Sequence, residues 1–278
     1  MLEDEKFKDW LFRYQYIYKL RRTEKNKRRF LSALLTDISS MREDVQVVEY
    51  NWKNKSSLKN VYVGNIHKAK KVICTYYDTP PQSFGSYQLF NREVQKKGTT
   101  AFIFATSLLM ILFGAVMTWL YLTKTAVVFD LTSLATLLFI FVLIVYFFLL
   151  GKVTQGLSNR KTLVRNTSSI LTILALIREH KEEEIAFAFV DEGCYGEIGF
   201  SLVQEQMRRG SQLFILDSVG ADAPLTIMPK EQVTYLFCGK NFENGYLLGK
   251  EALDAKKLQM ENLRKVAAYF RTTEIEES

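Results

Sequence analysis

Ile185-Ala186-Phe187-Ala188-Phe189-Val190-Asp191-Glu192 is an apolar run that halts on two acids, where a β-strand would stop. The same form occurs twice more. Ile73-Cys74-Thr75-Tyr76-Tyr77-Asp78 precedes it, and Leu213-Phe214-Ile215-Leu216-Asp217 follows it. Carboxylates collected at the carboxyl ends of strands are the usual place for chemistry in an α/β sheet. The chain has only two histidines, His67 and His180, and neither falls in these motifs. Both sit in polar stretches and read as solvated.

Working outward, the segment Lys6 to Met41 reads as a basic amphipathic helix, strongest over 6–36 and broken near Thr23. Its apolar residues Phe7, Trp10, Leu11, Tyr14, Ile17 and Tyr18 suit either the inner leaflet of a membrane or a protein core. Further strands are expected at Val45 to Tyr50, Val61 to Val63 and Val233 to Cys238. Helices are expected from Asn166 to His180, Ile198 to Arg208 and Asn244 to Arg271. Strands alternating with helices predict an α/β sheet covered on both faces.

Between the two halves lies a hydrophobic stretch that overrides soluble-domain reasoning. Ala101 to Leu122 is uncharged, and Ala126 to Leu150 carries only Asp130, so each is expected to span a membrane, joined by a tight turn at Thr123-Lys124-Thr125. Neither flank alone has enough strands for a sheet. The expected organisation is therefore one domain, residues 1–98 and 153–278, interrupted by a transmembrane hairpin over 99–152. Arg92, Lys96 and Lys97 before it and Lys152, Arg160, Lys161 and Arg165 after it put both termini in the cytoplasm. The scattered cysteines Cys74, Cys194 and Cys238 suit a reducing compartment. The net charge of +7 follows membrane topology and not a nucleic-acid footprint, since no base-stacking motif accompanies it. Trp119, Tyr121 and Tyr146 suit interfacial positions, and Gly114 and Ala115 allow close approach of a partner helix. The compact hairpin and the Lys-, Ile- and Phe-rich composition point to a bacterial membrane.

The order of motifs resembles the di-zinc aminopeptidase and glutamate-carboxypeptidase-like family, which also contains glutaminyl cyclases and nicastrin. The likeness runs through Arg21-Arg22-Thr23-Glu24-Lys25-Asn26, Asn60-Val61-Tyr62-Val63-Gly64 and Lys71 to Thr79 before the hairpin. After it come Arg165-Asn166-Thr167-Ser168-Ser169, Phe189-Val190-Asp191-Glu192 with Gly196 and Gly199, Leu216-Asp217-Ser218-Val219-Gly220, and Lys257 to Leu263. This resemblance implies a three-layer α/β/α aminopeptidase-like domain with a central mixed sheet.

It also implies a site, and most of that site is replaced. Tyr76 stands where the family has its first metal-binding histidine, Arg165 where it has the zinc-bridging aspartate, and the region near Gly249 lacks the last histidine. Asp78 matches an aspartate that supports a metal ligand. Asp191 occupies the position of the general-base glutamate and is one methylene shorter, while Glu192 and Asp217 match the remaining metal ligands. Two carboxylates do not retain zinc tightly, and a guanidinium at the bridging position repels a dication. No cofactor is therefore expected. The sharper expectation is that Arg165 supplies the positive charge, neutralising some of Asp191, Glu192 and Asp217. The implied protein is a membrane-anchored pseudo-peptidase that binds a peptide or a partner membrane protein as adaptor or accessory subunit. The alternatives are an altered metallohydrolase or transferase, which would need zinc, and a structural subunit of an export or peptide-processing complex. Cys194 as a thiol nucleophile has no assigned base and reads as inert.

Overall fold

A computed structural model of the chain describes residues 2, 4–51, 57–124, 132–194, 196–242 and 245–275. Two compact units are formed: one by Met1–Pro80, Ser86–Arg92 and Asn159–Ser278, the other by Pro81–Gly85 and Glu93–Ser158.

The amino-terminal stretch folds as two helices. α1 (Glu5–Phe12) starts at Asp4, whose carboxylate accepts the Phe7 N–H, and runs into a single wider π turn at Arg13–Ile17. α2 (Glu24–Ser39) starts at Thr23, whose hydroxyl accepts the Asn26 N–H. Each cap satisfies an amide that a helix start leaves open. Phe7, Trp10, Tyr14, Phe30, Leu34 and Ile38 are all buried, so the amphipathic face of both helices is spent on the domain core.

The strands follow as β1 (Val45–Tyr50), β2 (Leu58–Val63), β3 (Lys71–Tyr76) and β4 (Tyr87–Leu89). Next come the long helices α3 (Arg92–Lys124) and α4 (Leu134–Thr154), then α5 (Ser168–Glu179), β5 (Ile185–Val190), α6 (Ile198–Gln206), β6 (Gln212–Asp217), β7 (Leu225–Lys230), β8 (Val233–Cys238), β9 (Lys240–Phe242), β10 (Gly245–Leu248), α7 (Lys250–Leu253) and α8 (Met260–Ile275). The main sheet has the order β1-β2-β5-β3-β6-β8-β7, and a small one has the order β4-β10-β9. β5, β3, β6 and β8 are parallel, while the outer pairs β1/β2, β2/β5 and β7/β8 are antiparallel. The sheet is therefore mixed, with helices on both faces, as the alternating pattern predicts.

Side chains alternate across this sheet with period two. Ile73, Phe187, Phe189, Phe214 and Leu216 face α1, α2, α5 and α8, while Val72, Cys74, Tyr76, Ala188, Val190 and Ile215 face Phe200 and Val203 of α6. Burying each large apolar side chain is worth roughly 1.5–3 kcal/mol, which is why these runs carry no charge before their final acids. The register pairs Tyr76 with Val190 and Cys74 with Ile215, so the acids that end β3, β5 and β6 emerge along one edge.

In the second unit, Glu93–Thr123 and Leu134–Thr154 are long and apolar enough to cross a membrane, at 31 and 21 residues. α4 starts at Leu134, after Thr132 and Ser133 form a turn, and not at Ala126; the expected positions 126–131, Asp130 among them, lie outside the described residues. Gly114 of α3 lies against Tyr146 of α4, whose ring and hydroxyl leave no room for a Cβ. The close approach expected of Gly114 is thus used within the hairpin, while Ala115 stays exposed.

Two other expectations are corrected. The single helix expected from Asn244 to Arg271 is a strand, a short helix and a longer helix, because Tyr246 to Leu248 pairs on both sides with β4 and β9 and the chain breaks again at Asp254; Asn244 lies outside the described residues. His180 is buried, not solvated: it closes α5, its carbonyl accepts from Arg42, and its ring lies 3.5 Å from Glu182.

Candidate functional site

Asp78, Asp191 and Asp217 are held at 4%, 1% and 1% exposure, so almost none of their charge is solvated by bulk water. Buried carboxylates must find donors or a proton. Each finds a different set.

Asp78 accepts the backbone N–H of Gly193 at 3.0 Å, that of Cys194 at 3.2 Å, and the Cys194 thiol at 2.5 Å. Burial pushes both the Asp78 carboxyl and the Cys194 thiol up, so the sulfur stays protonated and serves as a donor rather than a nucleophile. The loop leaves no slack here, since a Cβ on Gly193 would come within 2.3 Å of the Tyr76 Cβ.

Asp191 meets the ammonium of Lys27, 2.8 Å from Oδ1 and 3.0 Å from Oδ2, and also accepts the Glu192 N–H. The same ammonium lies 3.3 Å from Glu192, whose side chain is half exposed. Burial, with the negative charge of Asp78, pushes the Asp191 carboxyl up to about 6 against the opposing pull of Lys27. Burial disfavours the Lys27 ammonium, yet Asp191, Glu192 and Asp78 outweigh it and hold that group above the ordinary lysine value.

Asp217 is served by hydroxyls. Tyr87 donates at 2.5 Å, Ser218 at 2.8 Å and Tyr76 at 3.3 Å. Arg165 enters from the π turn Leu163–Thr167 that precedes α5. Its guanidinium carbon lies 4.2 Å from the centre of the Tyr87 ring, its Nε donates to the Tyr76 hydroxyl at 3.2 Å, and its Nη2 donates to the Cys194 carbonyl at 3.2 Å. Behind it, Asn166 donates to the Tyr77 and Asp78 carbonyls and accepts from Arg21.

The three aspartates, Tyr76 and Arg165 therefore do come together, with one correction. The cation that contacts Asp191 and Glu192 is Lys27, while Arg165 lies among Tyr76, Tyr87 and the Cys194 carbonyl and has Asp217 among the charges that favour its guanidinium. Lys27 was detectable in principle, because it precedes Phe30, Leu31 and Leu34 at the spacing of an apolar helix stripe, where a lysine is out of place. Tyr87 is the other contributor missed, carried by a three-residue strand too short to stand out. Gly249 caps the start of α7, with open space where its Cβ would be.

Glu192 and Ser218 take φ of +52° and +56°, unusual for residues with side chains, immediately after β5 and β6. Such strain collects at functional sites. The donor set does not fit zinc, since Lys27 stands among the carboxylates and the hydroxyl beside Asp217 is a phenol, not an imidazole. Among the described residues, no group of three His, Cys, Asp or Glu side chains could hold a metal ion.

No protein-family model and no curated protein matches the sequence. Solved structures do match in fold. Glutaminyl cyclase from Porphyromonas gingivalis superimposes with a TM-score of 0.54 over 97% of this chain and 96% of that chain, at 11% identity. A Zn-dependent exopeptidase from Parabacteroides distasonis gives 0.53 over 93% and 94%, at 8% identity. The fold is that of the aminopeptidase and glutaminyl-cyclase group.

Proposed function

We propose that this chain is a catalytically inactive, aminopeptidase-like protein, anchored in a bacterial cell membrane by α3 and α4 with both termini cytoplasmic, that binds a peptide or a partner membrane protein as an adaptor or accessory subunit. One observation carries the reading: the acids of the site are already occupied by groups of the protein itself. Lys27 sits on Asp191 and Glu192, the Cys194 thiol on Asp78, and the Tyr76 and Tyr87 hydroxyls on Asp217. These donors take up most of the acceptor capacity of the three buried aspartates.

The test is elemental analysis of the full chain purified in detergent, with assays of aminopeptidase and glutaminyl-cyclase activity. Expected are zinc well below one atom per chain and no turnover above background. Stoichiometric zinc with activity lost in Glu192→Gln would overturn the reading in favour of an altered hydrolase built on Asp191, Glu192 and Asp217.

A second reading, a structural subunit whose hairpin is the interface, is favoured by the exposure of Ala115 beside Leu112 and Trp119 on α3. Small residues on such a face let another helix approach closely. Loss of a co-purifying partner on Ala115→Trp, with retention on Glu192→Gln, would select this reading over a partner bound at the acid cluster.

A further inference from the structure

We propose that Phe12, Tyr16 and Ile17, on the outer side of α1 and the turn after it, form a ridge that docks on the anionic surface of the bilayer that the hairpin crosses. The inference rests on the membrane reading above. It starts from the two apolar faces of residues 5–17. Phe7, Trp10 and Tyr14 are 1%, 1% and 0% exposed in the core, while Phe12, Tyr16 and Ile17 are 56%, 58% and 49% exposed. The Phe12 and Tyr16 rings lie 5.4 Å apart, so the exposed side chains are one patch and not scattered singles.

The chain that comes next fixes this patch on its own unit. The Lys19 carbonyl accepts from the Thr162 hydroxyl at 3.2 Å, and Arg21 exchanges hydrogen bonds with Thr79 at 3.0 and 3.1 Å. Both partners belong to the same compact unit as the ridge, so Lys19 and Arg21 hold the patch in a fixed place on the surface of that unit.

The charge around it has the sign that anionic lipid attracts. Lys8 precedes Phe12 by one turn and is exposed, Lys19 follows Ile17, and Gln15 donates to the carbonyl of Lys256, which with Lys257 is exposed. Asp9 on the same helix is paired with Arg13, leaving Glu5 as the other acid of α1 on the solvent side. Aromatic and aliphatic side chains flanked by lysines are the chemistry of an interfacial segment.

The experiment uses the full chain in vesicles of phosphatidylcholine with phosphatidylglycerol, carrying one spin label at Tyr16→Cys, at Leu112→Cys in the hairpin, or at Val47→Cys on the exposed edge strand. The native thiols Cys74, Cys194 and Cys238 are buried and shielded from the label. Collision rates with oxygen, which favours lipid, and with a nickel chelate, which favours water, are compared. The expected oxygen-to-nickel ratio at Tyr16 exceeds that at Val47 at least threefold and falls toward it in the Lys8→Glu/Lys19→Glu background. A Tyr16 label as open to nickel as Val47, with Leu112 in hydrocarbon, would overturn the docking while leaving the membrane reading intact. A label screened from both reagents would overturn it in favour of a second copy or a partner protein. A Leu112 label in water would overturn both readings.

Discussion

Asp191 and Asp217 end two strands that flank β3 on opposite sides, and both are 1% exposed, yet one faces an ammonium and the other faces hydroxyls and an aromatic face that carries a guanidinium. The contrast shows two ways of sheltering a buried carboxylate. An ion pair gives up the hydration of both partners and leaves a bare charge if either is removed. A ring of hydroxyls divides the task, so losing one donor leaves the others in place.

The comparison can be broken most sharply at Lys27. Lys27→Met should cost about 3–5 kcal/mol in urea unfolding of the detergent-solubilised chain, because it strands Asp191 in the interior. Lys27→Met/Asp191→Asn should recover much of that loss, and failure to recover would mean that the pair is not the source. The pH dependence comes next. Asp191 is pushed up to about 6 from 3.8, so between those values the native state holds a proton that the unfolded chain has released. The stability this provides is complete below about pH 3.8 and is lost as the pH rises through about 6. Relative to Asp191→Asn, the native protein should therefore lose about 3 kcal/mol between pH 4 and 7. A difference that stays flat over that range would refute the shift.

On the other side, Tyr87→Phe should cost about 2 kcal/mol, the loss of one charge-assisted donor with Tyr76 and Ser218 still in place. A loss as large as that of Lys27→Met would erase the distinction between the two halves. The smallest effect is expected at the start of α2, which carries Lys27. Thr23→Ala removes the acceptor for the Asn26 N–H and should lower stability by about 1 kcal/mol, read as a small decrease in the urea midpoint.

The same comparison explains what could be read in advance. β3, β5 and β6 announced themselves because parallel strands covered on both faces need uncharged runs, and their terminal acids marked where cover ends. The capped break at Thr23 and the alternation of strands with helices were legible for similar local reasons. Lys27 gave only the signal of its place on an apolar stripe, and its partner could not be read, since only the fold brings Asp191 to it, 164 positions away. Tyr246, Leu247 and Leu248 precede Lys250 and Leu253 at a spacing that suits a helix equally well, and pairing with β4 decided for a strand. β7 was hidden by Pro229, which an edge strand tolerates and a central strand does not. Which anions Arg165 would meet depended on a π turn that residue patterns do not announce.

The placing of β3 also bears on how the protein is made. This strand is synthesised before the hairpin, but its two neighbours, β5 and β6, are encoded after it. At ordinary translation speeds of about 5–20 residues per second, it must wait on the order of ten seconds with both edges unpaired while the long apolar helices are synthesised. Exposed edges of that kind invite pairing with other chains. Completion of the sheet is thereby tied to timely synthesis of α3 and α4, and a ribosome stalled within them would leave an aggregation-prone fragment.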